Sequence, residues 1–336
     1  MTASRITSTV DFDKNGRQTG FLRLPHSVHE SAYGWIPIPV ACLKNGSGPT
    51  VLLNAGNHGD EYEGQVTLMR LIRELKPEQV QGRIIFNPAS NFPAAMAGRR
   101  TSPIDGGNLN RSFPGDPDGT VTKVIAHYID SVILTQCDYA FDLHSGGSSL
   151  MYVPSSLGTL VPGESDRNAK VLDLLREFGA PIGYVSNRPM GADQTLGASA
   201  SRRGAVAIGT ELGGSGTVTP AALRIGEAGV RRMLKHIGVL PDIKVDPTPG
   251  TRLMLVGGPD YYVYTPEFGG VFEPLVELGD TIKAGQPAAA IHFSHTPWRE
   301  PEIVKFERDG VVLCKRIPGR TERGDCLFHL GTDYKA

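Results

Sequence analysis

The segment from Thr50 to Gln65, TVLLNAGNHGDEYEGQ, constrains the fold of this chain more than any other. Its aliphatic run predicts a buried strand, the small residues that follow predict a turn, and the apolar spacing after the turn predicts an amphipathic helix. The turn carries His58 and Glu61, three positions apart. An imidazole and a carboxylate are two of the three protein ligands that a catalytic Zn²⁺ takes, with the fourth position open for water.

A second strand-and-turn segment supplies the missing ligand. In YAFDLHSGG (139–147), His144 ends a short apolar run, and Asp142 precedes it by two positions. Because side chains alternate along a strand, both lie on one face, where Asp142 can fix the tautomer of a ligand histidine. A third segment, GAVAIGTELGG (204–214), ends its apolar run at Glu211. Ligands of open α/β sheets bind beyond the carboxyl ends of strands, so we expect the three segments to meet there.

Each of these residues also has an ordinary structural interpretation. A single histidine is more often a surface or core residue than a ligand, and His127, His236 and His329 fit that description. Asp60 can be the N-cap of the predicted helix, with Glu63 completing a capping box. The two glutamates of the predicted site can be a first-turn carboxylate and a structural ion-pair partner. The presence of all three segments in one chain favours the metal site.

Four motifs together resemble the succinylglutamate desuccinylase/aspartoacylase family, which belongs to the zinc-carboxypeptidase superfamily. The motifs are NHGDE (57–61), NLNRSFPG (108–115), DLHSG (142–146) and TELGG (210–214). Their order and spacing match the family, and the resemblance covers nearly the whole chain. Within the family, the forms HGDEYEGQ, SPIDG and NLNRSFPG are most similar to deacetylases of N-alpha-acetyl-L-2,4-diaminobutyrate.

The resemblance implies a metal centre and a proton-transfer residue. His58, Glu61 and His144 correspond to the ligands of one Zn²⁺ per chain, and Glu211 corresponds to the general base and acid. Glu211 would take a proton as water attacks the acyl carbon, and would return it to the amine, which is a poor leaving group unless protonated. Two histidines and a glutamate suit Zn²⁺, although Co²⁺ and Mn²⁺ are alternatives.

The resemblance also implies the substrate-binding side chains. Arg111, with Asn110 beside it, corresponds to the arginine that binds the substrate carboxylate, where a planar bidentate guanidinium fits. Arg100 corresponds to the arginine that polarises the scissile carbonyl, but the adjacent Arg99 leaves the register open by one position. Tyr264 is a candidate for the family's C-terminal tyrosine.

Strands and helices alternate through residues 1–245, which predicts an α/β fold with a largely parallel or mixed sheet flanked by helices. The resemblance implies that this is a zinc-carboxypeptidase-like mixed sheet. Beyond the helix that follows Gln65, the apolar spacing predicts further helices at 121–133, 168–178 and 221–237. A strand is expected at 83–88. The loop after it, at 89–119, is long and rich in Gly, Pro, Asn and Arg, which favours a functional role.

The composition changes near VDPTPG (245–250), which indicates a linker to a smaller all-β domain at 251–336. Two stretches in that domain, 270–288 and 310–327, resemble one another and read as short strands with Gly-centred turns. The first has the pattern of a lipoyl/biotinyl-like barrel-sandwich. The domain lacks the Met-Lys-Met triplet to which such domains attach a cofactor, so we expect a structural role.

The composition of the 336 residues is that of an ordinary globular enzyme. The net charge of −1 and the lack of a basic run argue against nucleic acid or an anionic membrane as a partner. The sequence contains no apolar run of membrane-spanning length and no signal-type N-terminus. Four scattered cysteines without a C-x-x-C motif favour buried thiols in a reducing compartment, so we expect a cytoplasmic protein. A homo-oligomer is compatible with the sequence.

The sequence therefore predicts a zinc-dependent amidohydrolase that cleaves the acyl group from a small N-acyl amino acid, with N-alpha-acetyl-L-2,4-diaminobutyrate as the first candidate. The alternatives within this class are a deacylase of another N-acyl amino acid and a zinc carboxypeptidase. A non-catalytic binding module, with the β domain as its working part, is the alternative outside it. The cationic side chain of diaminobutyrate also predicts an acidic residue in the pocket, which no motif identifies.

Overall fold

The computed structural model of the chain describes residues 4–187 and 194–335. Within this part of the chain there are six α-helices, which are α1 (Tyr62–Glu74), α2 (Phe92–Ala97), α3 (Val121–Tyr128), α4 (Ser165–Phe178), α5 (Leu196–Arg202) and α6 (Pro220–His236). The first ten of its strands are β1 (Thr7–Ser8), β2 (Gly16–Pro25), β3 (Trp35–Asn45), β4 (Thr50–Ala55), β5 (Gly82–Asn87), β6 (Tyr139–His144), β7 (Leu150–Tyr152), β8 (Ser155–Thr159), β9 (Ile182–Ser186) and β10 (Val206–Glu211). The remaining strands are β11 (Arg252–Leu255), β12 (Tyr262–Tyr264), β13 (Gly270–Pro274), β14 (Thr281–Ile282), β15 (Pro287–His292), β16 (Glu302–Lys305), β17 (Gly310–Arg316), β18 (Arg320–Thr321) and β19 (Cys326–Asp333).

A large mixed sheet is the centre of the molecule. Its strand order is β1-β2-β3-β5-β4-β6-β10-β8-β9-β11-β19-β17-β14, with β12 on β19 and β7 on β17. The strands β5, β4, β6 and β10 are parallel neighbours, and β8 runs antiparallel to β10. Every residue of β4 and β5 is buried, as expected for strands covered on both faces.

Helices cover the two faces of this sheet and form separate hydrophobic cores. One core combines strand side chains with α1, α4 and α6, through residues such as Leu68, Val171 and Met233. The other combines them with α3, α5 and the N-terminal strands, through residues such as Ile125 and Leu196. The predicted mixed α/β sheet flanked by helices is therefore confirmed.

The predicted helices agree with the structure at their centres and differ at their ends. α3 ends at Tyr128, and a π-helical turn at Ile129–Ile133 completes the stretch that was expected to be one helix. α4 begins at Ser165, three residues before the predicted start. The loop expected at 89–119 contains α2 and a 3₁₀ turn at Leu109–Arg111. The sequence did not indicate α5, because LGASASR has small residues in place of an apolar stripe.

The described chain after α6 forms strands and no α-helix. Four of these strands make a second, antiparallel sheet in the order β16-β15-β13-β18. The two similar stretches exchange their short strands: β14 of the first pairs with β17 of the second, and β18 of the second pairs with β13 of the first. β11 joins the region to the main sheet through β9 and β19. A separate antiparallel sheet at the C-terminus is thus present.

Two further predictions concern membrane-spanning helices and the state of the cysteines. Among the described residues, no helix combines the length and apolarity that a membrane span requires. All four cysteines are free thiols; Cys42, Cys137 and Cys314 are buried, and Cys326 is half-buried. Burial raises the pKa of each thiol above its ordinary value, so these side chains stay protonated.

Candidate active site

The structure brings together the three residues predicted to hold a metal. His58 and Glu61 lie in the turn between β4 and α1, and His144 is the last residue of β6, the strand beside β4. Their ligand atoms all lie within 4.8 Å of one another. Nδ1 of His58 is 2.7 Å from one oxygen of Glu61, and Nδ1 of His144 is 2.7 Å from the other. Two imidazoles and one carboxylate therefore converge on a single point.

The opposite ring nitrogens are held by polar neighbours. Nε2 of His144 lies 2.8 Å from Oδ2 of Asp142, the residue that was expected to fix its tautomer. Nε2 of His58 lies 3.2 Å from Oδ1 of Asn108, in the NLNR motif. Both contacts orient the rings so that Nδ1 points at Glu61. Outer-sphere partners of this kind are typical of histidines that ligate a metal.

The charges of this cluster are coupled through burial. Burial by itself would raise the pKa of Glu61, but the two imidazoles outweigh it and hold this pKa well below its usual range. Burial lowers the pKa of His58. It would lower that of His144 too, but the carboxylates of Asp142 and Glu61 outweigh burial and raise the pKa of His144 well above its ordinary value. The two carboxylates are thus paired with a protonated imidazole, and a metal cation that bound here would take the place of that proton.

Asp60 does not cap α1, so that structural interpretation is wrong. The N-cap position is Glu61, whose side chain makes no capping hydrogen bond, and the buried Glu63 completes no capping box. Oδ2 of Asp60 instead accepts hydrogen bonds of 2.8 Å from the backbone N–H and the hydroxyl of Ser148. Gly147 has a φ of +56°, and a Cβ there would lie 2.8 Å from the same oxygen. Asp60 therefore anchors the turn after β6.

Glu211 lies directly beside the predicted metal ligands. It is the last residue of β10 and is in register with His144 on the neighbouring parallel strand. Its Oε2 is buried and has no hydrogen-bond partner among the described residues. Burial raises the pKa of Glu211 well above its ordinary value, and the charge of Glu61 raises it further. A carboxylate in such a site can take and return a proton near neutral pH.

The side chains of the two adjacent arginines, Arg99 and Arg100, lie in different surroundings. The guanidinium of Arg100 is half-exposed, with Nη1 3.3 Å from Nδ1 of His58 and 3.6 Å from Oε1 of Glu61. Arg99 contributes its backbone carbonyl, which accepts the N–H of Gly59, while its side chain is exposed and does not line the cavity. Arg100 is therefore the arginine that a substrate over this cluster would contact.

Asn110 and Arg111 border the same cluster. Nδ2 of Asn110 lies 3.3 Å from Nε2 of His144, and its Oδ1 accepts the N–H of Leu196 at the start of α5. Nη1 of Arg111 donates to the carbonyl of Asn110 at 2.8 Å, while the residue as a whole is exposed. Partial burial, and then the charge of Arg100, lower the pKa of Arg111. Arg111 also lines the cavity beside the cluster.

A cavity of about 540 Å³ opens from this cluster across the sheet. Its floor is the half-exposed face of β10, where Glu211 is followed down the strand by the small residues Gly209 and Ala207. Within the described part of the chain, the only carboxylates that line it are Glu61, Asp142 and Glu211. The predicted acidic residue for a cationic side chain is thus not found among the described residues.

Two tyrosines that sequence reasoning missed form part of the cavity wall. Tyr152 ends β7 and Tyr184 lies in the middle of β9, and their ring centroids are 6.4 Å apart. No motif marks either residue, because each lies in an ordinary apolar strand. Tyr264, the candidate from the resemblance, does not line the cavity; it is 47% exposed and stacks on Tyr262 at 6.0 Å.

Comparison with known proteins gives one family. The model of the succinylglutamate desuccinylase/aspartoacylase catalytic domain matches residues 47–237, more than half of the chain. This chain belongs to that family. A relative from Halomonas elongata, named N-alpha-acetyl-L-2,4-diaminobutyric acid deacetylase, is 42% identical over 326 residues, which is 96% of this chain and 94% of that protein.

Solved structures of the family superpose over nearly all of the chain. The succinylglutamate desuccinylase/aspartoacylase of Rhodobacter sphaeroides is 42% identical, with a TM-score of 0.93, and the match covers 99% of this chain and 100% of that one. The product-bound ectoine utilization protein of Ruegeria pomeroyi is 37% identical, with a TM-score of 0.93, and covers 98% and 100%. The fold described above is therefore that of the family.

Proposed function

We propose that this chain is a zinc-dependent amidohydrolase that removes the acyl group from a small N-acyl amino acid. One observation supports the proposal most strongly. Two histidines and a glutamate converge within 4.8 Å, and on the neighbouring strand lies Glu211, whose buried Oε2 has no hydrogen-bond partner among the described residues. Membership of a family named for deacylases agrees with it.

The donor set fits a catalytic zinc ion. Nδ1 of His58, Nδ1 of His144 and the carboxylate of Glu61 would hold it. Among the described residues this group includes no cysteine and no fourth ligand, which is typical of catalytic sites. When bound, Zn²⁺ supplies a Lewis acid and lowers the pKa of a coordinated water to about 7. Asp142 and Asn108 keep both imidazoles oriented for this role.

The side chains around the cluster would perform the proton transfers and bind the substrate. Glu211 takes the proton of the attacking water and delivers it to the amide nitrogen, so that a neutral amine leaves. The guanidinium of Arg100 stabilises the negative charge that develops on the scissile carbonyl oxygen, a role in which one lost donor typically costs ~3–4 kcal/mol. Arg111 binds the α-carboxylate of the amino acid, with Asn110 beside it.

The substrate is expected to be an Nα-acetylated diamino acid. N-alpha-acetyl-L-2,4-diaminobutyrate is the first candidate, supported by the name of the 42% identical relative and by the subfamily motifs. N-succinylglutamate and N-acetylaspartate follow. All three are small and carry a free α-carboxylate, the group that a guanidinium at the cavity matches best.

The C-terminal region has a structural role in this proposal. We infer that residues 251–336 form a domain of the barrel-sandwich type, distinct from the catalytic domain at 1–245. The exchange of short strands between its two similar stretches supports this interpretation. A cytoplasmic location and assembly into a homo-oligomer remain predictions from the sequence.

The test is a hydrolysis panel with zinc-loaded and chelated protein. We expect rapid deacylation of N-alpha-acetyl-L-2,4-diaminobutyrate that chelation abolishes. Replacing the α-carboxylate by its amide should cost ~1.5–3 kcal/mol of transition-state stabilisation, the value of a hydrogen bond to a charged group, and kcat/KM should fall accordingly. Equal kcat/KM for acid and amide would contradict the role of Arg111. Faster cleavage of extended peptides than of any acylated amino acid would instead indicate a carboxypeptidase.

A further inference from the structure

Tyr184 lies on the cavity side of the sheet, beyond Glu211. In the β-sheet register Tyr184 is beside Leu157 of β8, and Leu157 is beside Gly209 of β10. Neighbours across strands share a face, as do residues two apart along a strand. Tyr184 therefore shares the face of Glu211, two strands away, on the side opposite to β6 and Arg100.

The ring of Tyr184 is held by aromatic neighbours on both sides. Tyr152 lies 6.4 Å away, and the ring of His329 meets it edge-on at 5.8 Å and 83°. His329 is itself stacked on Tyr262 at 4.2 Å and 2°. Tyr184 is only 2% exposed. The C-terminal strands thus fix the position of this side chain before any ligand arrives.

The buried hydroxyl group of Tyr184 makes no hydrogen bond of normal geometry in the part of the chain that the structure describes; Ser155 lies near it, but the Ser155 hydroxyl donates to the carbonyl of Val153. Most buried polar groups are paired, so an unpaired one requires an explanation. Burial raises the pKa of Tyr184 well above its ordinary value, so the phenol stays neutral and can both donate and accept. A fixed, unpaired hydroxyl in the wall of a substrate cavity is suited to a partner that comes with the ligand.

The substrate proposed above, a diamino acid, indicates what that partner is. Of the arginines that line the cavity in the described part of the chain, Arg100 and Arg111 lie on the side of the metal cluster, where an α-carboxylate would bind, and Arg167 and Arg202 line it from α4 and α5. Among the described residues, the three lining carboxylates all belong to the cluster or to Glu211. A cationic amino group on the opposite side can be received by phenol oxygens and aromatic faces, and the tyrosine pair offers both.

Resting on the function proposed above, we propose that Tyr184, with Tyr152 beside it, is the subsite for the side-chain amino group of the substrate. The ammonium nitrogen donates a hydrogen bond to the hydroxyl oxygen of Tyr184 and lies against the two rings. This assigns recognition of the diamino acid to a tyrosine pair, because the described residues offer no carboxylate for it beyond the cluster and Glu211.

The test compares two amino acids that differ only in this group, L-2,4-diaminobutyrate and L-2-aminobutyrate. Their affinities are measured by calorimetry on zinc-loaded wild-type protein and on Tyr184→Phe. We expect the wild type to prefer the diamino acid. Tyr184→Phe should weaken diaminobutyrate binding about 10- to 100-fold, as for a hydrogen bond to a charged group, and leave 2-aminobutyrate binding unchanged.

Tyr261→Phe is the matched control, because its buried hydroxyl is already paired, 2.9 Å from that of Thr332. It should lose about 2–4 °C in Tm and keep the preference between the two amino acids, whereas Tyr184→Phe should lose no Tm because no hydrogen bond is broken. Equal weakening of both ligands in Tyr184→Phe, no weakening, or a wild type without preference would each overturn the proposal. Hydrolysis is assayed separately, so a protein that keeps the binding preference but fails to deacylate would contradict only the proposed function.

Discussion

Two buried histidines, His144 and His329, are in opposite situations. His144 ends β6, and its two ring nitrogens lie 2.7 and 2.8 Å from carboxylate oxygens of Glu61 and Asp142. His329 lies in β19, is 1% exposed, and neither of its ring nitrogens has a hydrogen-bond partner among the described residues. The pKa of His144 is raised well above its ordinary value by the two carboxylates, whereas burial lowers that of His329 to about 3.

The difference reflects what each region of the molecule is organised to do. At the carboxyl ends of β4 and β6, polar groups are arranged in shells, so that ligand atoms point inward and their partners hold them from outside. Under the C-terminal strands, polar groups are buried among aromatic rings, and the side chains of Tyr184 and His329 have buried polar atoms without a hydrogen-bond partner among the described residues. In the two proposals above, Zn²⁺ would be the cation added to the first region, and the amino group of the substrate would be the hydrogen-bond partner added to the second.

The largest effect is expected from removing the paired histidine. His144→Ala deletes one ligand and leaves the carboxylates of Glu61 and Asp142 without their imidazole. Zinc affinity should fall by more than the ~100-fold that loss of an outer-sphere partner can cost, and activity should fall with it. Elemental analysis and a zinc titration measure the loss. His329→Phe is the control, which should retain stoichiometric zinc; full zinc content in His144→Ala would end the assignment.

A smaller but still large effect is expected at Glu211. Glu211→Gln keeps the shape of the side chain and cannot shuttle a proton, so kcat should fall by at least ~10²-fold while zinc and substrate still bind. Stopped assays and zinc analysis separate these outcomes. Glu63→Gln is the matched control, because Glu63 is also a buried carboxylate with a raised pKa and does not line the cavity. Near-normal turnover in Glu211→Gln would make Glu211 a structural residue.

The smallest effect concerns the unpaired histidine and is seen in stability. The pKa of His329 is about 3 in the folded state and near 6.5 when unfolded, so between these values the unfolded chain binds a proton that the folded chain does not. This contribution to stability is full above pH 6.5 and is lost as the pH falls toward 3. Between pH 7 and pH 5 the wild type should lose about 2 kcal/mol more than His329→Phe. Urea unfolding at both pH values measures it, and parallel losses would show that His329 is not buried as a neutral ring.

The parts of the site that were predictable are local. His58 and Glu61 lie on one turn, and Asp142 and His144 lie two apart on one strand, so chain geometry alone relates each pair. The convergence of the two pairs with Glu211 followed from a general property of α/β sheets, namely that strand ends gather at one edge. The choice between Arg99 and Arg100 was not predictable, because it depends on how the end of α2 turns toward His58.

The sequence by itself determined the alternating α/β architecture, the later β region and the chemistry of the predicted metal cluster, because each is encoded in periodicity or in a short motif. Only the tertiary structure decided the position of Asp60, which holds Ser148, and the isolation of Tyr264 from the cavity. It also decided that Tyr184 lines the cavity, where its ring contacts that of His329, about 145 residues further along the chain. Contacts between such distant segments depend on sheet order and on burial, and neither is written in the residues near Tyr184.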